Sequence, residues 1–265
     1  MLLALDVGNS QIYGAVFEGE KPLCEFRKTS KLPVSADELG LFLRSVLREN
    51  SVNPQEVREV AVASVVPDLA YTIRHCCEKY FGARPFTLGP GVKTGLNVKY
   101  KNPAEVGADR IANAVAVTHL YPGKNAVVID FGTATTFCAV SKTRDYLGGV
   151  ILPGLRTAME ALAEKTAKLF PVEIVRPPEL VGRTTASSIQ SGLYYGNLAV
   201  IREFSREMKA GCFGGENAIV IATGGFSHLF EQENVFDALV PDLVLTGLRL
   251  AYEMNRGDKN EDRNA

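Results

Sequence analysis

Residues 126–136 read Ala-Val-Val-Ile-Asp-Phe-Gly-Thr-Ala-Thr-Thr, and residues 2–10 read Leu-Leu-Ala-Leu-Asp-Val-Gly-Asn-Ser. Each stretch is a short apolar run followed by Asp-x-Gly and small polar residues, and residues 12–17 add a second apolar run to the first copy. Apolar runs of this length, bounded by turn residues, are typical of buried strands. The repeated unit is therefore predicted to be a strand, a tight glycine turn and a second strand.

The two copies are related by a shift of 124 residues, which places Asp6 on Asp130 and Gly8 on Gly132. The breaker Tyr121-Pro-Gly-Lys-Asn125 stands just before the second copy. This spacing exceeds the roughly 20–50 residues of solenoid repeats, so it indicates a duplicated domain. Chance similarity of a short strand-turn motif is the alternative.

The remaining chain alternates predicted strands and helices, and we expect an α/β fold with domains at 1–120 and 121–255 and a flexible tail at 256–265. Ser35 is the predicted N-cap of a helix over 37–49, and Thr184 or Thr185 that of a helix from about 186 to 209. Further elements are a strand over 59–66, a helix to about 79, a helix over 103–120, a helix from 154 to about 168, a strand over 218–222 and a last helix over 242–254.

Composition excludes several classes of protein. The 265 residues are 46% hydrophobic and 22% charged, which argues for a folded core, and a net charge of −1 provides no basic field for nucleic acid or an anionic membrane. No run approaches the roughly 20 apolar residues of a membrane span, and no secretory leader is expected. The five cysteines form no C-x-x-C pair, which favours reduced thiols and a cytoplasmic protein. The charge balance and the lack of a long apolar run predict neither a nucleic-acid nor a membrane partner.

An Asp-x-Gly-x-Ser/Thr hairpin suits phosphate. Glycine lets the backbone approach a ligand, exposed amides and a hydroxyl donate to phosphate oxygens, and the aspartate can orient a hydrated Mg²⁺. Two such hairpins, with the later turn Thr223-Gly224-Gly225 against which a nucleoside can lie, favour a nucleotide site. The P-loop and dinucleotide-binding glycine motifs are absent from the sequence.

Residues 107–110 read Gly-Ala-Asp-Arg and are predicted to lie at a helix N-terminus. Arg110 can bind a carboxylate or phosphate through two N–H groups, and Asp109 can accept the proton of a hydroxyl nucleophile, as an aspartate does in kinases. The alternative is an ordinary first-turn acid beside a surface arginine.

The sequence resembles the type III pantothenate kinases, in order and over about residues 2–253. The motifs that carry the resemblance are Asp6-Val-Gly-Asn-Ser10, Ala63-Ser-Val-Val-Pro67, Lys101-Asn-Pro-Ala-Glu-Val106, Gly107-Ala-Asp-Arg110, Asp130-Phe-Gly-Thr-Ala-Thr-Thr136 and Gly148-Gly-Val-Ile-Leu-Pro-Gly154. The resemblance implies the acetate-and-sugar-kinase/Hsp70/actin architecture, with two ribonuclease-H-like domains around an ATP cleft. It also implies ATP-dependent phosphorylation of pantothenate to 4'-phosphopantothenate, the first step of coenzyme A biosynthesis.

The resemblance further implies a role for individual residues. Asp109 would be the catalytic base, Asp130 would bind a monovalent cation, K⁺ or NH₄⁺, and Mg²⁺ would arrive with ATP. Family members are homodimers with the substrate pocket near the subunit interface. The residues implied to bind ATP are Asp6, Val7, Gly8, Asn9, Ser10, Gln11, Ile12, Tyr13 and Thr133. Those implied to bind pantothenate are Tyr100, Gly107, Ala108, Asp109, Arg110 and Thr185.

Three other functions compete with this interpretation. A non-enzymatic accessory or regulatory protein of the same family would be favoured by eroded motifs, whereas the motifs here are intact. A nuclease on the same core would use Asp6, Asp109 and Asp130 as a metal cluster, against which the neutral charge and glycine-rich loops count. A kinase of another small alcohol would share the fold, because this fold serves many substrates.

Overall fold

A computed structural model of the chain describes residues 1–30 and 33–257, so all but the first two residues of the predicted tail at 256–265 lie outside the described residues. Within the described part the chain forms eleven strands and six α-helices. In chain order these are β1 (Leu2–Val7), β2 (Gln11–Glu18), β3 (Lys21–Thr29), α1 (Ala36–Glu49), β4 (Glu59–Ser64), α2 (Ala70–Phe81), β5 (Phe86–Thr87), β6 (Asn97–Val98), α3 (Ala108–Leu120), β7 (Asn125–Phe131), β8 (Ala134–Val140), β9 (Asp145–Pro153), α4 (Leu155–Lys165), α5 (Thr185–Cys212), β10 (Ala218–Thr223), β11 (Ala238–Leu239) and α6 (Leu243–Arg256).

The chain divides into two compact units. The first takes the described residues of Met1–Leu96, Lys101–His119 and Leu243–Ala265, and the second takes Asn97–Tyr100 and Leu120–Asp242. This division differs from the expected 1–120 and 121–255 mainly in two places, since Asn97–Tyr100 groups with the second unit and α6 with the first. The apolar face of α6, including Leu245 and Leu248, packs in one cluster with residues of β1 and β4, so the helix groups with the first unit.

The first unit is built on a five-stranded sheet of order β3-β2-β1-β4-β5. β1 is antiparallel to β2 and parallel to β4, and the register places Asp6 beside Tyr13 on one side and Ala63 on the other. Helices α1 and α2 cover one face of the sheet and α3 and α6 the other. The side chains of β4 alternate between these two apolar layers, as a strand buried on both faces requires.

The second unit repeats the topology of the first. Its sheet has the order β11-β10-β7-β8-β9-β6. β7 is antiparallel to β8 and parallel to β10, just as β1 is to β2 and β4, and β6 is an addition. The register pairs Asp130 with Thr136 and with Thr223. The duplication predicted from the shifted sequence motif is therefore confirmed.

The helix starts follow the predicted caps. The Ser35 hydroxyl accepts the N–H of Glu38, whose carboxylate accepts the N–H of Ser35, a reciprocal capping box. Thr184 caps α5 in the same way with Ser187. The helix expected over 103–120 is shorter, because a 3₁₀ turn at Pro103–Glu105 precedes α3. No helix among the described residues has both the length and the hydropathy to cross a membrane.

Candidate active site

The first glycine turn joins β1 to β2. The N–H of Gly8 donates to the carbonyl of Gln11 at 3.0 Å, and a side chain at position 8 would crowd that carbonyl at 3.2 Å. Asp6 is half-buried near the end of β1, and Asn9 and Ser10 are exposed. A carboxylate, an exposed hydroxyl and turn amides therefore stand at one edge of the first unit, a donor set that suits phosphate oxygens and a hard cation.

Three side chains of the predicted ATP segment point away from this turn. Val7 and Ile12 are buried in the layer that α1 and α2 cover. Tyr13 is buried, its hydroxyl donates to Glu25, and the Arg27 guanidinium lies 3.8 Å from the centre of its ring. Glu25 and Arg27 lie on β3, which the sequence prediction did not include, although the alternation of buried Cys24 and Phe26 with polar neighbours was the available signal.

The second glycine turn joins β7 to β8 and is fixed to α4. Gly132 N–H donates to the carbonyl of Ala134 at 3.1 Å, which closes the turn. The carbonyl of Thr133 accepts the N–H of Gly154 at 3.0 Å and the hydroxyl of Thr157 at 2.7 Å. A side chain at position 154 would overlap the carbonyls of this turn. The Gly148–Gly154 motif in the sequence thus has a local purpose, since its last glycine lets α4 begin against the turn.

The turn Thr223-Gly224-Gly225 lies beside Asp130. A Cβ on Gly224 would stand 2.5 Å from Oδ1 of Asp130 and 2.6 Å from the N of Phe131, and the residue has φ +87°. Glycine is required there on both grounds. The turn predicted for a nucleoside and the aspartate predicted for a cation therefore lie next to each other in the second unit. The carboxylate oxygen Oδ1 of Asp130 and the carbonyl oxygen of Ala134 lie 3.7 Å and 3.5 Å from the Cβ position of Gly132. Oxygen atoms of these two kinds are the ligands that hard cations prefer.

Asp109 lies in the first turn of α3. Its Oδ1 accepts the N–H of Arg110 at 2.8 Å, and the carboxylate occupies the space that a side chain on Gly107 would fill, 2.5 Å from the Cβ position. Burial raises the pKa of the Asp109 carboxyl above its usual value, and the Arg110 N–H and guanidinium act in the opposite direction. The carboxylate is thus a stronger base than an exposed aspartate, and Arg110 beside it is itself buried.

The Asp109 turn and the first glycine turn meet at the carboxyl ends of β1 and β4. Val65 follows β4, and its N–H donates to the carbonyl of Val7 at 3.1 Å. Its Cγ1 lies 3.6 Å from the Cβ position of Gly107. Ligands of an α/β sheet bind at the carboxyl ends of its parallel strands. The structure therefore gathers the predicted residues of the first unit, Asp6–Gln11 and Gly107–Arg110, at one sheet edge.

Tyr100 and Thr185 belong to the second unit. Tyr100 follows β6, half-buried, with its ring 6.4 Å from that of Tyr146. Thr185 is exposed at the start of α5 and lines a cavity of about 950 Å³. The cavity is also lined by Arg183, Thr184, the polar residues Ser188 and Asn197, and apolar residues of α4, of α5 and of the segment between them. The sequence prediction missed this cavity, because its apolar residues fall within ordinary helical periodicity.

The comparisons with known proteins agree with this geometry. A family model described as type III pantothenate kinase matches residues 2–207. The type III pantothenate kinase of Legionella pneumophila is 56% identical over 255 residues, which cover 96% of this chain and 99% of the relative. That of Elusimicrobium minutum is 52% identical over 256 residues, 97% of this chain and 99% of the relative.

Solved structures extend the similarity of fold. A Campylobacter jejuni protein described as a Baf family transcriptional activator has a TM-score of 0.62 at 19% identity, with 96% of this chain and 99% of that chain covered. A Sinorhizobium meliloti protein described as a 2-dehydro-3-deoxygalactonokinase has a TM-score of 0.58 at 13% identity, with 96% of each chain covered. At these identities only the fold is shared, and it is the predicted architecture of duplicated ribonuclease-H-like domains.

Proposed function

The chain belongs to the type III pantothenate kinase family, and on that premise we propose how its own residues carry out the reaction. The protein is an ATP-dependent phosphotransferase that phosphorylates pantothenate to 4'-phosphopantothenate, the first step of coenzyme A biosynthesis. The observation that carries the residue assignments is Asp109, a half-buried carboxylate at the carboxyl edge of the first sheet, beside the glycine turn of Asp6–Ser10. A regulatory protein without catalysis would not need this carboxylate or the two glycine turns.

Asp109 acts as the general base. It accepts the proton of the primary hydroxyl of pantothenate while that oxygen attacks the γ-phosphorus of ATP in line. The bond from the γ-phosphorus to the bridging oxygen breaks, and ADP leaves with that oxygen. The raised pKa of Asp109 brings its basicity nearer to the working pH, which favours proton transfer.

Arg110 and the two glycine turns stabilise the negative charges of pantothenate and of the ATP phosphates. The buried guanidinium of Arg110 binds the carboxylate of pantothenate. The other residues assigned to pantothenate are Tyr100, Gly107, Ala108 and Thr185. The backbone amides of the Asp6–Gln11 turn and of Thr133 hold the phosphates. Ile12 and Tyr13 are buried and support that turn from the core. A divalent metal that arrives with ATP would supply positive charge to the phosphates. Asp6 is the carboxylate of the first unit that would orient it.

Asp130 would hold the monovalent cation. Its Oδ1 and the carbonyl oxygen of Ala134 both lie near the Cβ position of Gly132, at 3.7 Å and 3.5 Å, and this pair of oxygens supports K⁺ or NH₄⁺ at this point of the second unit. Omission of the cation is expected to raise the KM for ATP, because the cation would lie beside the second phosphate turn.

We also infer a homodimer in the cytoplasm. Leu180 is 63% exposed and Val181 is 73% exposed, close in sequence to the cavity at Thr185, and a second copy would cover them. All five cysteines are free, four of them buried, as expected of a reducing compartment. Light scattering of the purified protein should give twice the monomer mass, and a Leu180→Glu, Val181→Glu variant should shift it toward the monomer. A monomeric wild-type protein would contradict the dimer.

The reaction itself is tested by ADP release with purified protein, ATP, Mg²⁺ and pantothenate, in K⁺, NH₄⁺ and Na⁺ buffers, with the product identified by its mass. Pantothenate-dependent ADP in K⁺ or NH₄⁺ and much less in Na⁺ would support both the reaction and the cation. Equal rates in all three buffers would refute a requirement for K⁺ or NH₄⁺. Folded protein with no pantothenate-dependent ADP in any buffer would favour the regulatory function or another alcohol substrate.

A further inference from the structure

A cavity of about 510 Å³ lies in the first unit beside the second half of β4, between α2 and the segment 84–87 that contains β5. Its apolar floor includes Val62 and Ile73, and its rim carries Tyr71, Arg74, Arg84 and the hydroxyl of Thr87. Small-molecule sites have volumes of roughly 300–1,000 Å³, with mostly apolar walls and a few polar groups that fix orientation. The volume and the lining of this cavity match that description.

The cavity and the helix that carries Asp109 lie on opposite faces of the sheet. Val62 packs in the layer shared with α1 and α2, whereas Ala61 and Ala63 pack in the layer shared with α3. Successive side chains of a strand point to opposite faces. The cavity thus opens on the α2 face of the sheet, and the Gly107–Arg110 turn begins the helix on the other face.

The rim of the cavity is cationic. Arg74 and Arg84 are exposed, and neither guanidinium has a hydrogen-bonded or ion-paired partner among the side chains that the structure describes. Asp37 of α1 does not neutralise them, because its carboxylate is bound to Nζ of Lys79 at 2.7 Å and to the hydroxyl of Tyr80 at 2.9 Å. Two uncompensated guanidinium groups beside one cavity favour an anion with several acceptor oxygens, such as a phosphate.

The rim also offers an aromatic surface. Tyr71 is 66% exposed, an unusual position for a large ring on a short helix. Its ring stacks on His75 at 5.7 Å between centroids with 12° between planes, and Cζ of Arg74 lies 5.8 Å from its centre. An exposed ring held in place by neighbours is a platform for a planar ligand.

We propose that this cavity binds a nucleoside monophosphate, with the base against Tyr71 and the apolar floor and the phosphate on Arg74 and Arg84. Two arginines and one ring match one nucleotide, and the net charge of −1 offers no wider basic surface for a polymer. The site is additional to the ATP site of the kinase reaction.

The test is titration calorimetry of the full chain with AMP, GMP, CMP, UMP and inorganic phosphate, each in the presence of a saturating non-hydrolysable ATP analogue. At least one monophosphate is expected to bind one per chain with the analogue present. Arg74→Gln and Arg84→Gln should each raise its Kd at least tenfold and Tyr71→Ala at least fivefold. Arg58→Gln, an exposed arginine of the same unit outside the cavity, should leave it unchanged.

These variants affect exposed side chains, so kcat for pantothenate without added monophosphate should stay within twofold of wild type. The proposal is overturned if no monophosphate binds once the analogue is present, or if binding is unaffected by the arginine variants. Binding of inorganic phosphate as tight as that of every nucleotide would refute the role of the ring.

Discussion

Replacement of Gly107 by alanine tests how closely the position of Asp109 is tied to turnover. The new Cβ would lie 2.5 Å from Oδ1 of Asp109, whereas ordinary contacts of this kind begin at 3.4 Å, so the carboxylate must move by about 0.9 Å. Gly107 is not among the glycines with positive φ, so the alanine adds no backbone strain. The change therefore acts on Asp109 rather than on the fold.

The two expected effects have different sizes. The displaced carboxylate weakens its hydrogen bond from the Arg110 N–H, now 2.8 Å long, which costs about 0.5–1.5 kcal/mol of stability. A misplacement of about 1 Å at a reacting group lowers the rate by about 10²-fold. The Gly107→Ala protein should thus remain folded with a Tm only a few degrees lower, while its kcat falls about a hundredfold.

The assay is steady-state ADP release with pantothenate and ATP varied in turn, beside a thermal melt of each protein. Gly89→Ala is the matched control, because a Cβ at that glycine of the same unit meets nothing within 4 Å. The control should retain wild-type kcat. A Gly107→Ala enzyme with kcat within threefold of wild type would refute the reasoning that ties turnover to the Asp109 carboxylate.

Three further predictions concern pH, the second glycine site and a helix cap. Because burial raises the pKa of Asp109 above 3.8, kcat should fall as the pH drops through that raised pKa, which a pH–rate profile measures. Asp109→Asn removes the buried charge and should therefore not lower the free energy of unfolding at neutral pH, which urea melts measure. Gly224→Ala should raise the KM for ATP at least tenfold and lower the Tm, because the new Cβ would strike Asp130 and the residue has a positive φ. Gly211→Ala, in α5 of the same unit, meets nothing within 4 Å and should leave the KM for ATP unchanged. Ser35→Ala should cost about 1 kcal/mol in urea unfolding without affecting kcat, since the cap is local to the start of α1.

The duplicated core was predictable because it rests on short-range pattern. The apolar runs before Asp6 and Asp130 and the glycines that follow them determine two strands and the turn between them. The caps at Ser35 and Thr184 were predictable for the same reason, because a hydroxyl just before a stretch of helical periodicity accepts a backbone N–H of the first turn.

What sequence pattern missed depends on contacts between distant parts of the chain. Strands β5, β6 and β11 have two residues each and exist only through their neighbours, so no periodicity marks them. The placement of α6 follows from its packing against α3, where a side chain on Gly247 would strike the carbonyl of Ala112. The approach of Gly224 to Asp130 likewise comes from the parallel pairing of β10 with β7.

In the candidate site, too, the residues were predictable and the packing that supports them was not. The resemblance named Asp6, Gly107, Asp109 and Arg110, and the structure gathers them at one sheet edge of the first unit. The resemblance did not reveal that the carboxylate of Asp109 fills the space above Gly107 or that the hydroxyl of Thr157 fixes the second glycine turn. Both contacts depend on tertiary packing.

If Asp109 is the base of a pantothenate kinase, the single-turnover rate of Asp109→Asn must fall when ATP, Mg²⁺ and pantothenate are saturating. Asp68→Asn, an exposed aspartate in the 3₁₀ turn at Pro67–Leu69, is the matched control. We expect Asp109→Asn to bind ATP with wild-type affinity and to transfer phosphate at least 10²-fold more slowly, while the control is unchanged. A folded Asp109→Asn protein with near wild-type transfer would contradict it.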